Sequence, residues 1–179
     1  MFFLLFISIV GMQRLLELKI AKRNERWMKA QGAIEFGKSH YPWMVMMHIG
    51  FFTILILEVS LRGFGLSSIW PFWIVLFILV QLIRGWIITS LGKFWNTKII
   101  VLPKSEITAK GPYKFMKHPN YLVVAVEIIV ICLLFNAYFT GALFTLLNMW
   151  MMAVRIPEEE NALGNLTRYN TVFAQKTEK

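Results

Sequence analysis

Five apolar stretches punctuate this chain, and each approaches the length that a helix needs to cross a lipid bilayer. A hydrocarbon core of about 30 Å takes roughly 20 helical residues, and residues 1–20, 42–61, 69–91, 119–135 and 138–154 meet or nearly meet that ruler. With 57% of its 179 residues hydrophobic, the chain holds more apolar side chain than one water-soluble core can hide. The expected fold is an all-α integral membrane protein of about five transmembrane helices, forming a single membrane-embedded domain over 1–179. Residues 1–20 are the least regular of the five, apolar to Met12 and then passing through Gln13, Arg14 and Glu17 as an amphipathic turn or two. They lack the basic leader and small-residue cleavage pattern of a signal peptide and are read as a helix. The turn at Asn136 and Ala137 is too short to leave the membrane region, so the last two spans form an antiparallel hairpin.

Charge follows the same segmentation. The formal net charge of +9 suits a membrane surface better than nucleic acid, because Lys and Arg fall between apolar blocks and make no basic face on a soluble domain. Lys19, Lys22, Arg23, Arg26, Lys29 and Lys38 occupy the first connection, and Lys93, Lys98, Lys104, Lys110, Lys114 and Lys117 the third. The second holds only Arg62 and the fourth no charge, so both basic loops are expected in the cytosol. The N-terminus is then outside, and the C-terminal tail with Arg168, Lys176 and Lys179 is cytosolic. Cys132 is the single cysteine and lies within an apolar run, which excludes an intrachain disulfide and a thiolate zinc site. The three histidines lack ligand spacing, so no metal is expected.

Charges within spans are costly and need partners. Arg84 and Glu127 sit at similar depths in the third and fourth spans, and are expected to form a buried structural pair. Glu58 and Arg62, four apart near the outer surface, fit an ordinary helix pair.

Chemistry is expected in the cytosolic segments. The β-branched run Thr97 to Val101, Pro103, Ile107-Thr108 and Gly111-Pro112 read as a short extended hairpin over the helix ends. Gly111-Pro112-Tyr113 and Lys117-His118-Pro119-Asn120-Tyr121 then crowd a histidine and two tyrosines against a helix N-terminus, whose free N–H groups favour an anion. The same aromatic residues also suit an interfacial belt. Beyond the fifth span, Pro157 is expected to end or kink the helix. Glu158, Glu159 and Glu160 would then open a C-terminal cytosolic helix, where a cationic ligand would relieve their mutual repulsion. Arg155 has a plain alternative, snorkelling to the interface and pairing with Glu159 one turn on.

The ordered set Gly-Pro-Tyr, His-Pro-Asn-Tyr and Arg-x3-Glu-Glu-x2-Leu, the last being Arg155, Glu159, Glu160 and Leu163, resembles the isoprenylcysteine carboxyl methyltransferase family, including its bacterial and archaeal members. The preceding Ile100-Val101-Leu102-Pro103 is similar to that family too, and the resemblance covers roughly Leu91 to Tyr169. The first loop, from Arg23-Asn24-Glu25-Arg26 through Gly32, Glu35 and Gly37 to His40-Tyr41-Pro42, is similar to a bacterial branch suspected of methylating oxygen on lipid-like products such as alkylpyrones. That branch implies a bacterial plasma membrane.

The resemblance implies S-adenosylmethionine as cofactor and a lipophilic small molecule, reached from the bilayer, as methyl acceptor. Glu159 or Glu160 would hold the ammonium of the cofactor, and His118 with the N–H groups of the fourth helix its carboxylate. Tyr113 and Tyr121 would pack on it, with Leu102, Gly111 and Asn120 completing the cofactor site. Arg155 and Glu160 would be the catalytic residues, Arg155 orienting an acceptor oxygen that is already anionic near neutral pH. His40, His48 and Glu35 are candidates for the acceptor pocket, a histidine serving as general base if the acceptor is a weakly acidic phenol. The Rossmann arrangement of soluble methyltransferases is absent. Competing readings are a phospholipid N-methyltransferase, which would not need Arg155, a membrane reductase with a nicotinamide cofactor, and a non-enzymatic transporter.

Overall fold

A computed structural model describes residues 1–167 and 169; the tail residues Arg168, Lys176 and Lys179 lie outside the described residues. Five helices account for most of it: α1 (Phe2–Ala30), α2 (Tyr41–Leu61), α3 (Trp70–Leu91), α4 (Pro119–Leu134) and α5 (Tyr138–Leu166). Two three-residue strands, β1 (Ile34–Phe36) and β2 (Ile99–Val101), and two single-turn 3-10 helices, Gly92–Phe94 and Gly111–Lys114, complete the described elements. The all-α membrane architecture expected from the sequence is thus the observed one. Residues 41–61, 70–94 and 138–166 are each long and apolar enough to cross a bilayer. α4 is apolar but shorter, and α1 carries Arg14 and Glu17 within its length.

The strands and both 3-10 turns gather at one end of the bundle, with the last turns of α1, α3 and α5 and the first turn of α4. β1 and β2 pair antiparallel, Ile34 opposite Val101 and Phe36 opposite Ile99. This corrects the hairpin expected within 97–108. After β2, Pro103 offers no N–H to a ladder, and Lys104 adopts a left-handed φ of 61°. Its N–H bonds the carbonyl of Leu166 at 2.9 Å, turning the chain towards α5 and away from β2. The strand finds its partner in the first loop instead. Ile99 and Val101 pack with Ala162 of α5, flanked by Phe36, Leu163 and Leu166.

The expectation that α5 could end at Pro157 is also corrected. Proline removes one backbone bond and crowds the preceding turn, yet α5 runs unbroken from Tyr138 to Leu166 with Pro157 inside it. Side-chain ties flank the proline on both sides. Arg155 bonds Tyr121 and Thr97 before the proline, and Glu159 and Glu160 bond Tyr121 and His118 after it. The segment beyond Pro157 is helical as expected, but as the continuation of α5.

α1 owes its place to one stripe. Phe3, Phe6, Val10, Glu17, Ala21, Asn24 and Met28 are its buried residues, recurring at the three- and four-residue intervals of one helical face. Glu17 therefore points inward, 6% exposed, where its carboxylate takes Arg84 Nε at 2.8 Å and Nη2 at 2.6 Å. Arg14 bonds both Glu17, at 2.6 Å, and Glu127. The expected Arg84–Glu127 pair exists at 3.5 Å, as one side of a four-charge network joining α1, α3 and α4. Gln81 adds a hydrogen bond to Glu127 at 3.1 Å. At the opposite end, Glu58 pairs with Arg62 at 3.1 Å as expected. It also caps α5, accepting the N–H groups of Phe139 and Thr140 and the Thr140 hydroxyl. Asn136, at a φ of 54°, makes the tight turn between α4 and α5.

Breaking one member of a buried ion network leaves its partner uncompensated, typically at a cost of about 3–5 kcal/mol. Glu17→Gln is expected to lower the melting temperature in detergent severely, and an unchanged melting temperature would contradict the network's role. Glu58→Ala removes a helix cap worth about 1 kcal/mol, so the same measurement should show a modest loss.

Candidate functional site

The site is built where the loop before α4 meets the end of α5. Gly111 opens the approach at a φ of 55°, and a Cβ there would lie 2.2 Å from Ser90 Oγ and 2.9 Å from Trp86 Nε1 of α3. Only glycine lets the turn close on α3 in this way. Tyr113 then packs against Val80, Ile87 and Val123. Burial, with Glu159 adding to it, raises its hydroxyl above the usual range, so it remains a protonated donor. His118 occupies the position before α4 and Pro119 the first turn, where a missing N–H costs nothing.

Across from this turn, α5 presents its acidic segment. His118 Nε2 lies 3.0 Å from Glu160 Oε1 and Nδ1 3.8 Å from Glu159 Oε2, while Lys117 Nζ reaches Glu160 at 3.4 Å. The Tyr121 hydroxyl donates to Glu159 at 2.8 Å and accepts from Arg155 Nε at 3.3 Å. Arg155, 5% exposed, also donates through Nη2 to the Thr97 carbonyl at 3.0 Å. Its observed partners are thus Tyr121 and Thr97, which set the guanidinium plane between α4 and the segment leading into β2.

These groups enclose a cavity of about 240 Å³. Along α5 its wall is Asn148, Met151, Met152, Arg155, Glu159 and Leu163, one helical stripe. At the α-helical rise of about 1.5 Å per residue, that stripe extends roughly 22 Å. Leu102, Tyr113, His118, Asn120 and Tyr121 line the cavity near Glu159; Met44, His48 and Arg84 line it farther into the bundle. Asn120 Oδ1, Trp95 Nε1 and Arg84 Nη1 are buried without a hydrogen bond, and all three residues line this space.

Eight of the residues singled out in the sequence therefore share one cavity: Leu102, Tyr113, His118, Asn120, Tyr121, Glu159, Arg155 and His48. Gly111 shapes the turn that carries Tyr113. Glu160 lies behind the lining and holds His118. Glu35 is outside the cavity, tied to Lys29 at 2.6 Å and Lys98 at 3.2 Å. Burial pushes its carboxyl up, but hydrogen bonds from both lysines outweigh this and hold it below the ordinary value. His40 is also outside the lining, its ring folded over Gly37. Burial, and then the Arg155 guanidinium, depress its imidazole against a smaller opposing effect of Glu158, so it is neutral near pH 7. Sequence reasoning passed over Trp95 and Asn148. Asn148 carried a usable signal, since it is a lone amide in an apolar run two helical turns before Arg155 on the same face.

The profile of the isoprenylcysteine carboxyl methyltransferase (ICMT) family matches residues 73–165, which take in most of α3, β2, the turn at Gly111, α4 and nearly all of α5. The chain is 50% identical over 161 residues to the uncharacterized protein YpbQ of Bacillus subtilis, covering 90% of this chain and 96% of that one. It is 28% identical over 154 residues to an uncharacterized protein of Haemophilus influenzae, covering 86% and 90% of the two chains. No solved structure matches significantly. The matched region contains the cavity's α4 and α5 walls and every one of the motifs that meet there, and the chain belongs to the isoprenylcysteine carboxyl methyltransferase family of membrane-embedded methyltransferases.

Proposed function

We propose that the protein is an S-adenosylmethionine-dependent O-methyltransferase acting on a lipophilic acceptor that reaches the site from within the bilayer. The observation that carries this reading is the shared cavity, in which His118, Asn120 and Tyr121 of the α4 segment face Arg155 and Glu159 of α5.

The donor set suits the cofactor. Its ammonium and sulfonium call for a carboxylate, which Glu159 provides, with Glu160 holding the His118 ring from behind. Its carboxylate calls for N–H donors, available from the first turn of α4, beside the His118 ring. Tyr113, Tyr121 and Leu102 offer surfaces for the adenine and ribose, and the unpartnered Asn120 Oδ1 and Trp95 Nε1 add one acceptor and one donor. When bound, S-adenosylmethionine supplies a methyl group made electrophilic by the adjacent sulfonium.

Arg155 orients the acceptor. Its guanidinium is fixed by Tyr121 and Thr97 and buried in a low-dielectric setting, where a charge-assisted hydrogen bond to an anionic oxygen is strong. A carboxylate, or the acidic hydroxyl of an alkylpyrone, is already ionised near neutral pH. The enzyme then contributes alignment and exclusion of water, with no strong base. The bias of basic residues towards the loops at this end favours a cytosolic site, with the N-terminus outside, the C-terminus cytosolic and the chain in a bacterial plasma membrane among its lipids. The cofactor arrives from water and the acceptor sideways from lipid.

Glu159→Gln is expected to weaken S-adenosylhomocysteine binding by about tenfold, the loss of one charge-assisted contact, when titrated by calorimetry in detergent. Arg155→Lys keeps the charge but loses the planar fork. Methyl transfer from labelled cofactor into membrane lipid extract should fall on the order of a hundredfold, with cofactor affinity retained. Full activity in Arg155→Lys would favour an amine acceptor over an oxygen one.

A further inference from the structure

The groups assigned to the cofactor occupy one half of the cavity and leave its inner end unexplained. From Arg155 the α5 stripe continues through Met152 and Met151 to Asn148, which is 4% exposed. Two turns separate Asn148 from Arg155, roughly 10 Å at the helical rise. His48 of α2 stands near the same depth: Phe51 meets Phe144 ring to ring at 5.5 Å, and the antiparallel courses of α2 and α5 bring His48 level with the turn that holds Asn148. Arg84 of α3, 6% exposed, completes this floor. Three polar residues from three helices line a space whose walls include Met44, Met47, Met151 and Met152.

Their bonding is incomplete. Arg84 commits Nε and Nη2 to Glu17, and its buried Nη1 faces Glu127 at 3.5 Å as an ion pair without a hydrogen bond, which leaves its N–H groups able to donate. Asn148 Nδ2 has the Met152 thioether at 3.7 Å as its acceptor, a weak one. His48 Nδ1 lies 2.8 Å from the Met44 carbonyl; only a protonated nitrogen can bond a carbonyl, so the neutral ring carries its lone pair at Nε2. Polar groups in such surroundings are costly unless they meet a partner. A ligand can supply one.

The charge on the floor decides which kind. Arg14 and Arg84 are matched by Glu17 and Glu127, so the network has no net positive charge to offset a phosphate or sulfate. An uncharged oxygen demands no such compensation. Met44, Met47 and Met151 give the walls unbranched, adaptable side chains, suited to an apolar ring or chain.

We propose that this floor is the acceptor's head-group subsite and that Arg84 and Asn148 are specificity-determining residues, selecting an uncharged oxygen function on a lipophilic molecule. A hydroxyl or carbonyl oxygen accepts from Arg84 Nη1 and Asn148 Nδ2, and a hydroxyl donates to His48 Nε2. The inference deepens the methyltransferase reading and rests on it for the reaction at the Arg155 level. It disfavours a phospholipid head group as acceptor.

The test uses the full chain in lipid nanodiscs, with pentadecylphenol and pentadecyl phosphate as probes and S-adenosylhomocysteine in a separate titration. Pentadecylphenol should bind the wild type more tightly than the phosphate does. Asn148→Leu and, as a second variant, His48→Phe should each weaken it about tenfold, the loss of one buried hydrogen bond, while S-adenosylhomocysteine affinity stays at the wild-type value. Undetectable phenol binding to wild type, equal binding in both variants, or preference for the phosphate would overturn the proposal. If S-adenosylhomocysteine fails to bind wild type while the phenol pattern holds, the cofactor reading falls and the subsite stands.

Discussion

The clasp between the first turn of α4 and the last turns of α5 is the contact on which the candidate site depends. Tyr121 bonds Glu159 and Arg155, and His118 bonds Glu160, so the Tyr121 hydroxyl and the His118 ring are each oriented by the facing helix. Hydrogen bonds involving ionised groups are stronger than neutral ones, and several acting together fix geometry better than any one alone. Because the clasp straddles Pro157, it also explains how α5 continues through a residue that ordinarily breaks a helix. The continuous helix in turn makes the cavity wall a single stripe, from the membrane-embedded Asn148 to Leu163.

A second set of contacts supports the first from within the bundle. The Arg14–Glu17–Arg84–Glu127 network ties α1 to α3 and α4, and the Glu58 cap ties α2 to the start of α5. The four-charge network lies in segments where lipid, and not water, surrounds the protein, so leaving any of its charges unmatched is expensive. Arg84 belongs to the network and also lines the inner end of the cavity. Scaffold and pocket therefore share a side chain, and the charge balance of the scaffold limits what the pocket can accept.

Much of this was legible in the sequence, and the rest was hidden for identifiable reasons. Apolar length marked the helices because the bilayer imposes a fixed span, and Gly-Pro-Tyr, His-Pro-Asn-Tyr and Arg-x3-Glu-Glu marked both sides of the cavity because local spacing survives without knowledge of tertiary contacts. Glu17 was read as part of an amphipathic turn, although its spacing from Phe6 and Val10 puts it on the inward stripe; the apolar surroundings masked a polar residue on the buried side. The β1–β2 pairing joins segments far apart in sequence, and no local signal in Ile99–Val101 distinguishes that partner from the nearer Ile107. Pro157 was read by its intrinsic preference, which tertiary ties override. Asn148 was overlooked because a single amide in an apolar span carries no motif, and only its register with Arg155 reveals it.

The central claim is that the α4 and α5 motifs together enclose a sulfonium cofactor. An experimental structure of the protein in lipid with S-adenosylhomocysteine tests it most directly. The account requires ligand density between the first turn of α4 and the Arg155–Glu160 segment, in contact with Glu159 and the His118 region. Density elsewhere on the protein, or none at saturating ligand, would contradict it.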